Sequence, residues 1–100
     1  MSYIFVKLIS GDEIIGEINK LGSINEPLHI DKPMVLFPAG QNQIGIGHFL
    51  PYTKIKDVGV DIGRNCISLI AEPADALVEE YKRAISPIVR PNLSLVNPEN

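Results

Sequence analysis

His48, Phe49, Tyr52, Lys54 and Lys56 crowd aromatic rings and bases into one short stretch of the chain. That mixture can stack the bases of a single nucleic-acid strand and hold its phosphates. Arg64-Asn65 adds a second polar pair further on. The plainer reading is that Phe49 and Tyr52 pack and the lysines are merely solvated. Other residue types in the chain point to less. His29 and Asp31 stand two apart and would share one face of a strand, but a metal site needs more ligands, and the remaining histidine, His48, is distant in sequence. No metal and no cofactor is expected. Ser10, Ser23 and Ser68 lack the setting of a nucleophile elbow. Cys66, among Ile67, Leu69 and Ile70, has no evident base and reads as a small buried apolar residue. Gly45-Ile46-Gly47 lacks a third glycine and leads into no helix, so it reads as a coiled strand rather than a phosphate loop. Catalysis is not expected.

The elements that must position these residues begin with a hairpin over Tyr3 to Ile18. Ile4, Val6 and Leu8 alternate with Phe5, Lys7 and Ile9 at the two-residue period of a strand. Ser10-Gly11-Asp12 supplies the turn, and Ile14 and Ile15 resume the apolar pattern. Gly16 inside the return strand predicts a bend or a close backbone approach. A turn-rich loop from Asn19 to Pro27 precedes a strand over Leu28 to Phe37, where Pro33 predicts a bulge or a one-sided ladder. Ile44 to Leu50 is the next strand, with Gly45 and Gly47 leaving bare backbone on one face for sharp coiling or for another element, such as one from a second subunit. Tyr52 to Asn65 reads as a polar connection in which Val58, Val60 and Ile62 can form a short extended piece, and Cys66 to Ala71 as the last strand. Pro73 opens a helix to Ile85, with Leu77, Val78, Tyr81, Ala84 and Ile85 on one face and acids ahead of bases along its length.

One hundred residues, 45% apolar and 21% charged, bound the chain to one domain: a barrel plus helix over 1–86 and a proline-containing tail over 87–100. The expected fold is mainly β, a small, strongly bent, five-stranded antiparallel sheet or open barrel with a C-terminal helix. A net charge of −3 argues against coating polyanions indiscriminately, while leaving room for a local basic site. No run is long enough for a membrane span and no signal sequence precedes the first strand, so a cytoplasmic protein without a membrane partner is expected.

The hairpin Val6-Lys7-Leu8-Ile9-Ser10-Gly11-Asp12-Glu13-Ile14-Ile15-Gly16-Glu17-Ile18 resembles the first motif of the Sm/LSm (Hfq-like) family, most of all the Sm-like proteins of marine cyanobacterial phages. Ile62-Gly63-Arg64-Asn65-Cys66-Ile67-Ser68-Leu69-Ile70 is similar to the second motif, with Gly and Arg in reversed order. In the loop where the family carries an Asp and an Asn that face RNA, this chain has Gly22 and Asn25. The helix follows the last strand, where the family has one before the first.

The resemblance implies a homo-oligomeric ring closed by pairing the fourth strand of one subunit with the fifth of the next. Independently, a last strand that is apolar on both faces is a poor exposed edge. The expected function is binding of single-stranded RNA or DNA in RNA processing or regulation, without chemistry. Lys54, Lys56 and Arg64 would meet phosphates, His48 or Tyr52 would stack bases, and Asn25 and Asn65 would bond base edges. The alternative is an oligomeric scaffold that has kept the ring and lost the RNA site, as the missing loop Asp and the acidic total suggest.

Overall fold

A computed structural model describes residues 2–86; the expected tail over 87–100 lies outside them. The hairpin forms as its alternation predicts. Strands β1 (Ser2–Leu8) and β2 (Glu13–Ile18) pair antiparallel from Ser2 opposite Ile18 to Lys7 opposite Glu13. The Leu8 amide donates to the Asp12 carbonyl at 2.8 Å and the Gly11 amide to the Leu8 carbonyl at 2.9 Å, with Gly11 at φ +99°. That angle is why a residue without Cβ occupies the turn.

Strand β3 (Leu28–Pro38) is the longest and changes neighbours along its length. On one side it pairs with β2 between Asp31 and Leu36. On the other, Leu28 to Ile30 pair with β5 (Val60–Ile62), and Met34 to Pro38 pair with β4 (Ile44–His48). Pro33 falls in the gap between those two partners, where its missing N–H costs no ladder bond. Opposite the gap, the β2 register slips between Ile15 and Glu17, so Lys32 and Pro33 together face Gly16. A Cβ on Gly16 would lie 2.2 Å from Ile30 Cγ2 and 3.0 Å from the Asp31 carbonyl oxygen. The bend read from Gly16 and the bulge read from Pro33 are therefore one feature. Lys32, at φ +48°, carries its backbone strain.

The sheet runs β4-β3-β2-β1-β6, with β6 (Ile67–Ala71) antiparallel to β1 and β5 attached to β3 off this path. It does not close on itself: β4 and β6 end the path. Six strands form among the described residues, where five are expected from the sequence, because the extended piece at Val60–Ile62 pairs as a strand. The stretch read as a polar connection also holds a short helix, α1 (Ile55–Val58), closed where the Gly59 amide bonds the Ile55 carbonyl at 2.8 Å.

Both faces of the sheet are used. Ile4, Val6, Ile14, Ile18, Leu28, Ile30 and Ile62 cluster on one face. Ile15, Met34 and Tyr81 cluster on the other, where α2 (Asp75–Ile85) covers the sheet. Each such aliphatic side chain contributes about 1.5–3 kcal/mol on full burial. The apolar stripe of α2 is the expected one, with Tyr81 fully buried and Leu77, Ala84 and Ile85 packed around it. Its start is later than expected: Ala74 is the N-cap, and Pro73 is a buried residue before it.

Cys66 corrects a second reading. It is exposed, because it ends a 3-10 turn (Arg64–Cys66) instead of opening the last strand. The bare glycine face of β4 is covered within the protomer. Phe37, paired with Gly45 across β3 and β4, lays its ring where a Gly45 Cβ would stand, 2.4 Å from Phe37 Cε1.

Candidate nucleic-acid interface

Arg64 joins two polar turns that are far apart in sequence. Its Nε donates to the Glu26 carbonyl at 2.8 Å, and Nη2 donates to the Leu21 carbonyl. These bonds clip the loop between β2 and β3 onto the 3-10 turn before β6. The loop is also braced from within, since the Asn25 amide donates to Ser23 Oγ at 3.1 Å and the Ser23 amide to Glu26 Oε1 at 3.2 Å. Asn25 and Asn65 are both exposed on the two turns that Arg64 connects. Asn65 Oδ1 lies close over Gly63, 2.8 Å from where a Cβ would stand. A fixed guanidinium fork suits this clamp, because a lysine could not serve two carbonyls with the same geometry. Arg64 thus commits two of its nitrogens to holding the loop and has fewer left for phosphate.

The other expected site residues stand elsewhere. His48 ends β4, paired with Met34, and shares a concavity with Lys56 of α1. Lys54 is the N-cap residue of α1 and is exposed. Tyr52 is 89% exposed in the loop between β4 and α1, while its neighbour Phe49 packs against the first core cluster. The packing reading therefore holds for Phe49, and Tyr52 is the ring left for a ligand. The seven residues form three groups: Asn25, Arg64 and Asn65; His48 and Lys56; Tyr52 and Lys54.

Sequence reasoning placed His29 beside Asp31 but missed Asp61. His29 Nδ1 stands 2.7 Å from Asp61 Oδ1, and Nε2 stands 2.9 Å from Asp31 Oδ1. Only the imidazolium donates to both carboxylates at once. The hydrogen bond to Asp61 raises the His29 pKa above 6.5, aided by Asp31 and opposed by burial. With both nitrogens turned to carboxylates at hydrogen-bond distance, the trio is an ion-pair clamp between β3 and β5. Among the described residues, no group of three His, Cys, Asp or Glu is arranged to hold a metal ion. Also among them, no helix is long and apolar enough to cross a membrane.

Compared with models of protein families and with curated protein sequences, the chain matches none.

Proposed function

We propose that this protein is an Sm-like ring that binds single-stranded nucleic acid without acting on it chemically. The observation that carries the reading is the Arg64 clamp, which brings the Asn25 loop and the Asn65 turn together as one exposed polar surface. Carboxamides on adjoining rigid turns can bond base edges, and RNA is recognised mainly through unstacked single-stranded bases.

Assembly is supported by the ends of the sheet. Ile44 on β4 is 66% exposed, and Leu69 and Ile70 on β6 are exposed as well. Two apolar edges of one sheet are an aggregation hazard unless a neighbour pairs with them, and pairing β4 of one subunit with β6 of the next uses both. A ring then repeats a modest site, so several copies can hold one strand through effective concentration despite the net negative charge.

Titrating fluorescent single-stranded RNA with the protein at two salt concentrations tests the reading. Affinity should fall as salt rises, with the slope on a log–log plot reduced by about 0.7 for each phosphate contact removed. Lys54→Ala and Lys56→Ala should each flatten that slope, whereas Asn25→Ala and Asn65→Ala should weaken binding without changing it. An oligomer that binds neither RNA nor single-stranded DNA at low salt would instead be a scaffold, the reading favoured by Gly22 in the loop.

A further inference from the structure

Lys32, His48 and Lys56 come from three different elements and line one concavity of about 360 Å³, with Asp57 as the only acid on its wall among the described residues. Met34 and Ile85 supply apolar lining from β3 and α2. None of the three bases has a carboxylate partner among the described residues, whereas two acids of α2 are used within the helix, Glu79 with Lys82 and Glu80 with Arg83. In a chain of net charge −3, this is a local reversal of sign.

Lys32 is held there at a cost. Its φ of +48° lies in the left-handed region, and it precedes Pro33, a position that favours extended backbone. The conformation persists because Tyr81 Oη donates to the Lys32 carbonyl at 2.7 Å and Gly16 leaves room for the bulge. Strained non-glycine residues of this kind concentrate at ligand sites. The bulge alone could be served by glycine or asparagine, and the residue present is a lysine that lines a basic concavity.

We propose that this concavity binds a mononucleotide, a phosphate monoester on a sugar that also carries a flat base. A terminal phosphate bears a charge of about −1.5 to −2 and three acceptor oxygens, which matches two ammonium groups and an imidazole better than an internal diester does. Ala84 and Ile85, half-buried on α2, form the surface against which the flat base lies. The volume falls in the range of about 300–1,000 Å³ usual for small-molecule sites. All the residues belong to one protomer, so the site does not rest on ring closure or on the Arg64 turns. The same chemistry is offered by a free mononucleotide and by the phosphorylated end of a strand.

Calorimetric titration of the full chain with adenosine monophosphate, adenosine, and an oligoadenylate with and without a terminal phosphate tests the proposal. Adenosine monophosphate should bind once per chain, at least roughly tenfold more tightly than adenosine, and Lys32→Gly and Lys56→Gln should each weaken it roughly tenfold. Lys32→Gly also relieves the backbone strain, so its melting temperature should be unchanged or higher, which separates lost binding from lost folding. A terminal phosphate that tightens the oligoadenylate identifies a strand end as a ligand; tight binding of the mononucleotide alone identifies the free nucleotide. Equal affinity for adenosine and its monophosphate, or full affinity in both lysine variants, would overturn it.

Discussion

The hydroxyl of Tyr81 donates a 2.7 Å hydrogen bond to the carbonyl of Lys32, tying the C-terminal helix to the one strained residue of the β3 bulge. Tyr81 is fully buried, and its ring meets that of Tyr3 edge-on at 5.8 Å. Burial pushes its phenol well above the ordinary value of 10, with Glu17 adding to the shift, so the hydroxyl stays a donor at any physiological pH. Tyr81→Phe keeps the ring and removes the bond, and should cost about 1 kcal/mol. Tyr81→Ala also removes the ring from between α2 and the sheet, and should cost about 3–5 kcal/mol. Thermal unfolding checks both; equal melting temperatures for Tyr81→Phe and the wild type would show that the bond to Lys32 contributes nothing.

Two glycines of the first hairpin should differ in what replacement costs. At Gly11 there is open space around the missing Cβ but a φ of +99°, so Gly11→Val carries the left-handed penalty of about 1–2 kcal/mol and Gly11→Asn much less. At Gly16 the Cβ itself collides with Ile30 and the Asp31 carbonyl. Gly16→Val must displace β3 and should cost about 3 kcal/mol or more, with no rescue by asparagine. Denaturant unfolding of the variants measures the order, and a Gly16→Val chain as stable as Gly11→Val would contradict the close packing of β3 over β2.

The His29 clamp makes stability depend on pH. Because hydrogen bonding to Asp61 and Asp31 raises its folded pKa, the folded state binds a proton more tightly than the unfolded one. The contribution is therefore fully present below about 6.5, the unfolded value, and is lost as pH rises through the elevated folded value. It is modest, since the His29 side chain is 48% exposed and solvent screens the pair. Melting temperature followed across that interval should decline, and His29→Gln should flatten the decline. A profile identical to wild type in His29→Gln would mean that the clamp does not couple to folding.

How much of this was legible beforehand follows from distance along the chain. The hairpin, its turn at Gly11 and the apolar stripe of α2 are local patterns, set by alternation, helical spacing and turn chemistry, and they stand where those patterns put them. Gly16 signalled a bend or a close backbone approach and Pro33 a bulge or a one-sided ladder, but that they face one another depends on the β2–β3 register, which no local pattern encodes. Asp61 became a partner of His29 only through the pairing of β5 with β3, across 32 residues. Arg64 was visible as a basic residue at a turn, whereas its use as a clamp needs the Leu21 and Glu26 carbonyls, which residue types do not reveal. Cys66 was misread because apolar neighbours suggest burial, and β6 is an edge strand whose later residues are exposed. Lys32 went unnoticed as a site residue; the signal available was a charged residue placed immediately before a strand-interior proline.

The central claim joins assembly to strand binding, and one sedimentation-velocity experiment on the full chain reads both. With fluorescent single-stranded RNA at low salt, the label should move with a protein oligomer larger than a dimer and return to the free position at high salt. Leu69→Lys, which places a charge on the exposed edge of β6, should release monomers and lose the fast-moving label with them. A wild-type chain that sediments as a stable monomer at micromolar concentration, or an oligomer from which the label stays separate at every salt concentration, would contradict the account.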